Sequence, residues 1–194
     1  CLVSFSMDVH KELSGFKIRV DREIANYLDR TIQETAKHDP FMTEALRYVK
    51  TLVLSGGKRL RAAFMYYGYL AAGGEDRDRM LRAAVSIELI HIFLLIHDDI
   101  IDRDEKRHGV VTAHEHFRSI ADTVFPHADS THFGSSMAII IGDMVGALGN
   151  QIIFESGFPP ERILRALSKL QDIISFTVVG QAKDILIEYA GKAT

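Results

Sequence analysis

The chain has 194 residues, of which 47% are hydrophobic and 25% charged, with a formal net charge of -3. That length is enough for one ordinary domain with a real core, and the mix excludes a disordered tail. The slightly acidic balance argues against nucleic acid as a partner, since such binding draws on a strongly basic surface.

In chain order, Cys1 is the only cysteine and cannot form an internal disulfide. Residues 1–7 are mildly apolar but lack the basic start and long hydrophobic segment of a secretory signal, so Met7 is a candidate native start and the cytoplasm the default location. Residues 11–37 read as a first helix with Phe16, Val20, Ile24, Tyr27 and Leu28 on one side. His38-Asp39-Pro40 breaks it. A second helix, 41–54, ends in Ser55-Gly56-Gly57, and a third, 58–72, closes at Gly73-Gly74.

Residues 76–102 form the long central helix. Leu81, Val85, Glu88, Ile92, Leu95 and Asp99 recur at helical spacing, while Ile90, Phe93, Leu94 and Ile100 cover much of the other surface. A helix apolar nearly all round is surrounded by other helices, which sets the polar residues at its C-terminal end in a cavity mouth or on a rim. Residues 103–116 are charged and read as a loop with a short helix. Residues 117–132, holding Pro126, read as an irregular connection. Two further helices follow, 133–154 and 161–189, the last interrupted in pattern by Gly180. The longest apolar runs are broken by Glu88 and His91 or by Gly142-Asp143, so no stretch is expected to span a membrane uninterrupted. The fold class is all-α.

Asp98-Asp99-Ile100-Ile101-Asp102 is the sharpest local signal. Asp98 and Asp102 stack one turn apart, with Asp99 displaced around the helix. Like charges at this spacing repel, and a hard cation such as magnesium, shared with a substrate phosphate, would neutralise them. The plain alternative is a solvated acidic helix end. Gly56-Gly57-Lys58-Arg59-Leu60-Arg61 is the second cluster: its glycines permit close approach of an anion, and Lys58 and Arg61 share a face. A basic first turn on a surface helix is the alternative, although cations there oppose the helix dipole. Arg107 and His108 follow the acidic cluster, His91 lies two turns before Asp98, and Gln181 and Lys183 lie in the last helix. The scattered histidines lack the spacing of a zinc site.

With these residues in place, the sequence resembles the trans-type polyprenyl diphosphate synthases, which include farnesyl and geranylgeranyl diphosphate synthases. The carrying stretches are GGKRLR at 56–61, ELIHIFLLIHDDIIDRDEKRHGVVTAH at 88–114, HFGSSMAIIIGD at 132–143 and GQAKD at 180–184. The resemblance implies an isoprenoid-synthase-type helical bundle around a central apolar cavity, with residues 1–194 as a single domain incomplete at its C-terminus. It implies that isopentenyl diphosphate is condensed onto an allylic diphosphate to give a C15–C20 product, in a homodimer. Asp98, Asp99 and Asp102 would hold Mg2+ on the allylic diphosphate, and Arg107 would help hold that group. Gly57, Lys58, Arg61 and His91 would form the isopentenyl diphosphate pocket. Thr177, Gln181 and Lys183 would flank the reacting carbons and the diphosphate, with Asp98, Asp102, Arg107 and Lys183 doing the catalytic work. Phe93, five residues before Asp98, would floor the product tunnel and set chain length.

The family's Arg-Arg-Gly is Arg107-His108-Gly109 here, so a histidine stands where a second arginine is expected to bind isopentenyl diphosphate. Ala62 stands where a proline often follows GGKRLR. The second Asp-rich motif, expected well beyond Gly180, is not reached by Thr194. A non-catalytic or regulatory subunit of such a synthase is the alternative expectation.

Overall fold

The computed structural model describes residues 9–191, so Cys1 and Met7 lie outside the described residues. Two compact units divide the chain, Cys1–Ile152 and Ile153–Thr194. The described residues are helical apart from short connections and one two-stranded hairpin.

In the first unit, α1 (Val9–Thr35) buries Phe16, Val20, Ile24, Leu28 and Ile32. Steps of four keep these side chains on one face, and each apolar side chain so buried contributes about 1.5–3 kcal/mol. That face packs on α2 (Pro40–Leu54), α3 (Leu60–Ala71), α4 (Arg77–Ala83) and α5 (Val85–Asp102). Asp39 starts α2, its carboxylate accepting the Met42 N–H at 2.9 Å, with Pro40 in the first turn. Lys50 of α2 reaches Asp29 of α1 at 2.7 Å. The third helix begins at Leu60, two residues later than expected, because Arg59 takes a left-handed backbone (φ 54°) that cannot extend it backwards.

The expected long helix, 76–102, is present as α4 and α5, which meet at Ala84; Ala84 keeps a right-handed backbone. Arg103, in the left-handed region at φ 58°, ends α5. The loop with a short helix expected over 103–116 holds a hairpin, β1 (Lys106–Arg107) with β2 (Val110–Val111), antiparallel and paired Lys106 to Val111 and Arg107 to Val110, before a helix that begins at Ala113. His108 (φ 51°) and Gly109 (φ 80°) form its two-residue turn, the left-handed pair that hairpins favour.

The irregular connection expected over 117–132 is also corrected. A helix, α6 (Ala113–Val124), occupies most of it and buries Ala113, Phe117 and Ala121 in steps of four. Thr112 anchors its start: the hydroxyl donates to the Asp104 carbonyl at 2.6 Å and the Thr112 N–H to that of Glu105 at 3.0 Å. Next comes α7 (Ser130–Phe154). Within the first unit it closes tightly on α5, because a Cβ on Gly142 would stand 2.7 Å from His97, on Gly146 3.2 Å from Phe93 and on Gly149 2.9 Å from Ile90. His97 Nε2 lies 3.3 Å from the Ile139 carbonyl, and the Tyr27 hydroxyl donates to that of Leu148 at 3.3 Å.

In the second unit, α8 (Pro160–Ala190) runs unbroken through Gly180. One interior glycine costs a helix only about 1 kcal/mol relative to alanine, too little to stop one of 31 residues. The expectation about membrane spans also needs correction. The helical stretch Arg77–Asp102 and α7 are both long and apolar enough to cross a membrane by length and composition, since the polar interruptions are too few. In this fold 56% of the first apolar window is buried in protein.

Candidate active site

The site grows from one buried ion cluster. Glu88 sits in the apolar wall of α5 at 5% side-chain exposure, where an unpaired carboxylate would be very costly. It is paired: Oε1 accepts the Ala62 N–H at 3.0 Å, and Oε2 lies 3.4 Å from Arg59 Nη1. Arg59 also donates through Nε to Asp21 at 2.7 Å and through Nη2 to the Val53 carbonyl at 2.5 Å. The first turn of α3, which the sequence offered to an incoming anion, thus spends one free N–H on Glu88. The rest of that anion site lies in the side chains.

Around this cluster is a cavity of about 510 Å³ between the α2–α3 loop, α5 and the hairpin. Gly57, Lys58, Arg61, His91, Asp99, Arg107 and His108 all line it, so seven of the residues singled out in the sequence converge here from three segments. Leu52, Ile92, Leu95 and Ile96 give it an apolar side. Lys58 and Arg61 are exposed, and neither makes an ion pair with a carboxylate among the described residues. Gly57 has a positive φ of 94°, a turn that a side chain would strain. Gly56 is needed for close approach instead: a Cβ there would fall 2.8 Å from both Cγ and Nδ1 of His108.

His91 records the cationic character of the cavity. Burial first, then the charges of Arg61, Arg107, Arg59 and His108, lower its pKa to about 4, so its imidazole is neutral near pH 7. A neutral ring can donate one hydrogen bond and accept another.

The three aspartates divide. Asp99 is buried and turns to the hairpin, where its Oδ1 takes Arg107 Nε at 2.6 Å and Nη2 at 2.5 Å. Burial raises the Asp99 pKa despite the opposing pull of Arg107. For Arg107, burial alone would lower the pKa, but the bond and charge of Asp99, then Asp104 and Asp98, outweigh it and raise it. Asp98 keeps a side-chain exposure of 29% and lies 3.7 Å from Arg107, and Asp102 is exposed one turn on. Among the described residues no three His, Cys, Asp or Glu side chains gather at a metal-binding distance. Two carboxylates on one turn nevertheless fit magnesium, which commonly takes one or two carboxylates and fills its other positions with water and phosphate oxygens.

Phe93 does not line the cavity. It lies against Gly146 of α7, edge-on to His97 with ring centres 5.0 Å apart. Thr177, Gln181 and Lys183 lie on α8 in the second unit, Thr177 and Lys183 exposed and Gln181 half-buried. The sequence reading missed Arg59, Glu88 and Asp21 as a cluster. The signal available for it was a lone carboxylate in an apolar helix, which demands a buried cation.

A helical protein with a cation-lined cavity beside a carboxylate-bearing helix end has the architecture of the isoprenoid synthases. Residues 41–194 match the polyprenyl synthetase family, and the chain belongs to it. It is 35% identical over 170 residues to a geranylgeranyl pyrophosphate synthase of Geoglobus acetivorans, covering 86% of this chain and 47% of that protein. A geranylgeranyl diphosphate synthase of Methanosarcina mazei is 34% identical over 188 residues, covering 97% of this chain and 50% of the relative. Among solved structures, a Corynebacterium glutamicum geranylgeranyl pyrophosphate synthase complexed with isoprenyl diphosphate and magnesium superposes with a TM-score of 0.86. Its sequence is 30% identical, and the match covers 94% of this chain and 52% of that one. The chain spans about half the length of the curated relatives it matches.

Proposed function

We propose that the protein is a prenyltransferase that joins isopentenyl diphosphate to an allylic diphosphate, releasing diphosphate and giving a C15–C20 prenyl diphosphate. The observation that carries this is the convergence of Lys58, Arg61, His91, Arg107 and His108 on one cavity. Lys58 and Arg61, both exposed and without a carboxylate partner among the described residues, hold the diphosphate of isopentenyl diphosphate by charge-assisted hydrogen bonds. His91, neutral at working pH, adds a hydrogen bond without adding charge. Apolar Ile92, Leu95 and Ile96 accommodate the hydrocarbon end.

Asp98 and Asp102 hold magnesium, which when bound neutralises charge on the departing diphosphate. Asp99 has a different part: it fixes the guanidinium of Arg107, which adds a cation to the same leaving group. Phe93 limits the growing chain. A homodimer and a cytoplasmic location belong to the same reading. A non-catalytic partner subunit would have lost diphosphate-site residues, whereas Lys58, Arg61, Asp98 and Asp102 are all kept.

Incubation of the protein with magnesium, labelled isopentenyl diphosphate and dimethylallyl, geranyl or farnesyl diphosphate tests this. A labelled prenyl diphosphate, lost in Asp98→Ala, supports the reading. No product from the full reading frame with any of the three sinks it.

A further inference from the structure

Lys58 stands between two residues whose backbones are left-handed, Gly57 at φ 94° and Arg59 at φ 54°. Glycine takes that conformation freely. Arginine, which has a Cβ, is disfavoured there and keeps it only where its surroundings hold it. What holds Arg59 comes from three helices. Its Nη2 donates to the Val53 carbonyl in the last turn of α2, its Nη1 lies 3.4 Å from Glu88 Oε2 of α5, and its Nε donates to Asp21 Oδ1 of α1 at 2.7 Å.

The three anchors are not equivalent. One Glu88 oxygen is committed to the Ala62 N–H, and the other is the more distant of the two carboxylate contacts to Arg59. Asp21 is the nearer, and a charge-assisted bond of this length is among the strong ones. Asp21 therefore fixes where the guanidinium lies. The guanidinium in turn lies against the α2–α3 loop, because a Cβ on Gly57 would stand 3.3 Å from Arg59 Nη1. Lys58 precedes Arg59 by one residue and Arg61 follows it by two, so a shift of Arg59 is passed to both cavity cations. Asp21 itself is on α1, which supplies none of the cavity lining among the described residues. Its side chain is 24% exposed, against 3% for Arg59, and removing it leaves Arg59 facing Glu88, so no buried charge is stranded.

We propose that Asp21 is a positioning residue for isopentenyl diphosphate: through Arg59 it holds Lys58 and Arg61 in the arrangement that meets the diphosphate. The inference rests on the prenyltransferase reading of the cavity and extends it to a residue outside the cavity, on a different helix. A preorganised pair of cations binds its anion more tightly than the same pair on a loosened loop, because less ordering remains to be done on binding. The effect falls on one substrate, since the leaving diphosphate is met by Arg107, Asp98 and Asp102 instead.

The test is steady-state kinetics of prenyl transfer by the full reading frame, with isopentenyl diphosphate and the allylic diphosphate varied in turn. Asp21→Ala should raise the KM for isopentenyl diphosphate about tenfold, the size of one charge-assisted contact loosened. It should leave kcat and the KM for the allylic diphosphate within about twofold of the parent, the pattern of lost ground-state binding. Asp21→Asn, which keeps the shape and loses the charge, should shift the same constant in the same direction. Asp29→Ala is the control: Asp29 also ties α1 to α2, accepting from Lys50 at 2.7 Å, but lies away from the loop and should change neither KM. An unchanged KM for isopentenyl diphosphate in both Asp21 variants, an equal rise in Asp29→Ala, or a loss confined to kcat overturns the inference and leaves the prenyltransferase reading standing. Loss of cooperative urea unfolding in both Asp21 variants overturns it too, by making Asp21 a residue of stability. No prenyl transfer by the parent with dimethylallyl, geranyl or farnesyl diphosphate overturns both.

Discussion

Arg107 and Asp99 are joined twice at one oxygen, Asp99 Oδ1, with Nε at 2.6 Å and Nη2 at 2.5 Å. The pair links the buried end of α5 to the hairpin and aims the guanidinium alongside Asp98 and the cavity. Asp104 at 3.5 Å and Asp98 at 3.7 Å hold the same group more loosely.

Asp99→Asn should therefore affect catalysis more than folding. The raised pKa of Asp99 means that its ionised form is disfavoured by burial. Its contribution to stability is full below the unfolded value of 3.8 and is lost as pH rises through the higher folded value, so removing the charge relieves a penalty at pH 7. The urea midpoint should stay close to that of the parent, while kcat/KM for prenyl transfer falls roughly 10–100-fold as Arg107 loses its aim. A large drop in the midpoint with unchanged kcat/KM would reverse the assignment.

Arg59 and Glu88 should behave in the opposite way. Both are nearly inaccessible, at 3% and 5% side-chain exposure, so Arg59→Ala strands a buried carboxylate and should cost about 3–5 kcal/mol in urea unfolding. Adding Glu88→Gln to Arg59→Met removes both charges and should recover much of that loss. If the double variant is as unstable as the alanine variant, the buried pair is not what the fold depends on.

Much of this site was legible in the sequence, because chain-local chemistry marked it. The carboxylates of 98–102 and the cations of 58–61 stood out by type and spacing, and His38-Asp39-Pro40 marked the break before α2. Arg59 with Glu88 was not legible as a pair: 29 residues separate them, and only the packing of α3 on α5 brings them together. The hairpin escaped because strands of two residues have no periodicity, leaving Gly109 as the only sign of its turn. The missed α6 did carry a signal. Phe117, Ile120, Ala121 and Val124 fall at helical spacing, but Pro126 and the surrounding polar residues drew the expectation towards a loop.

The depressed pKa of His91 has its own consequence for acid stability. For a histidine lowered to about 4, the stabilising contribution is present above the ordinary value of 6.5 and is lost as pH falls through the folded value. The parent should thus lose stability between about pH 6.5 and pH 4 more steeply than His91→Asn, read as the urea midpoint against pH. Equal slopes would mean that the imidazole is not shielded from protons.

Phe93 is wedged between Gly146 and His97, so its ring has little freedom to move aside. Phe93→Ala should open space beside α5 and lengthen the product by one or more isoprene units, seen by chromatography of the dephosphorylated alcohols. An unchanged distribution would remove Phe93 from the control of chain length.

Prenyl transfer by this protein requires that the cavity between the α2–α3 loop, α5 and the hairpin hold the diphosphate of isopentenyl diphosphate. Phosphorus NMR of that compound titrated with the protein addresses this directly. Both phosphorus resonances should shift and broaden saturably, and the effect should vanish when Lys58→Ala and Arg61→Ala are combined in a variant that still unfolds cooperatively. Resonances indifferent to the protein, or a response that survives the double substitution, would contradict it.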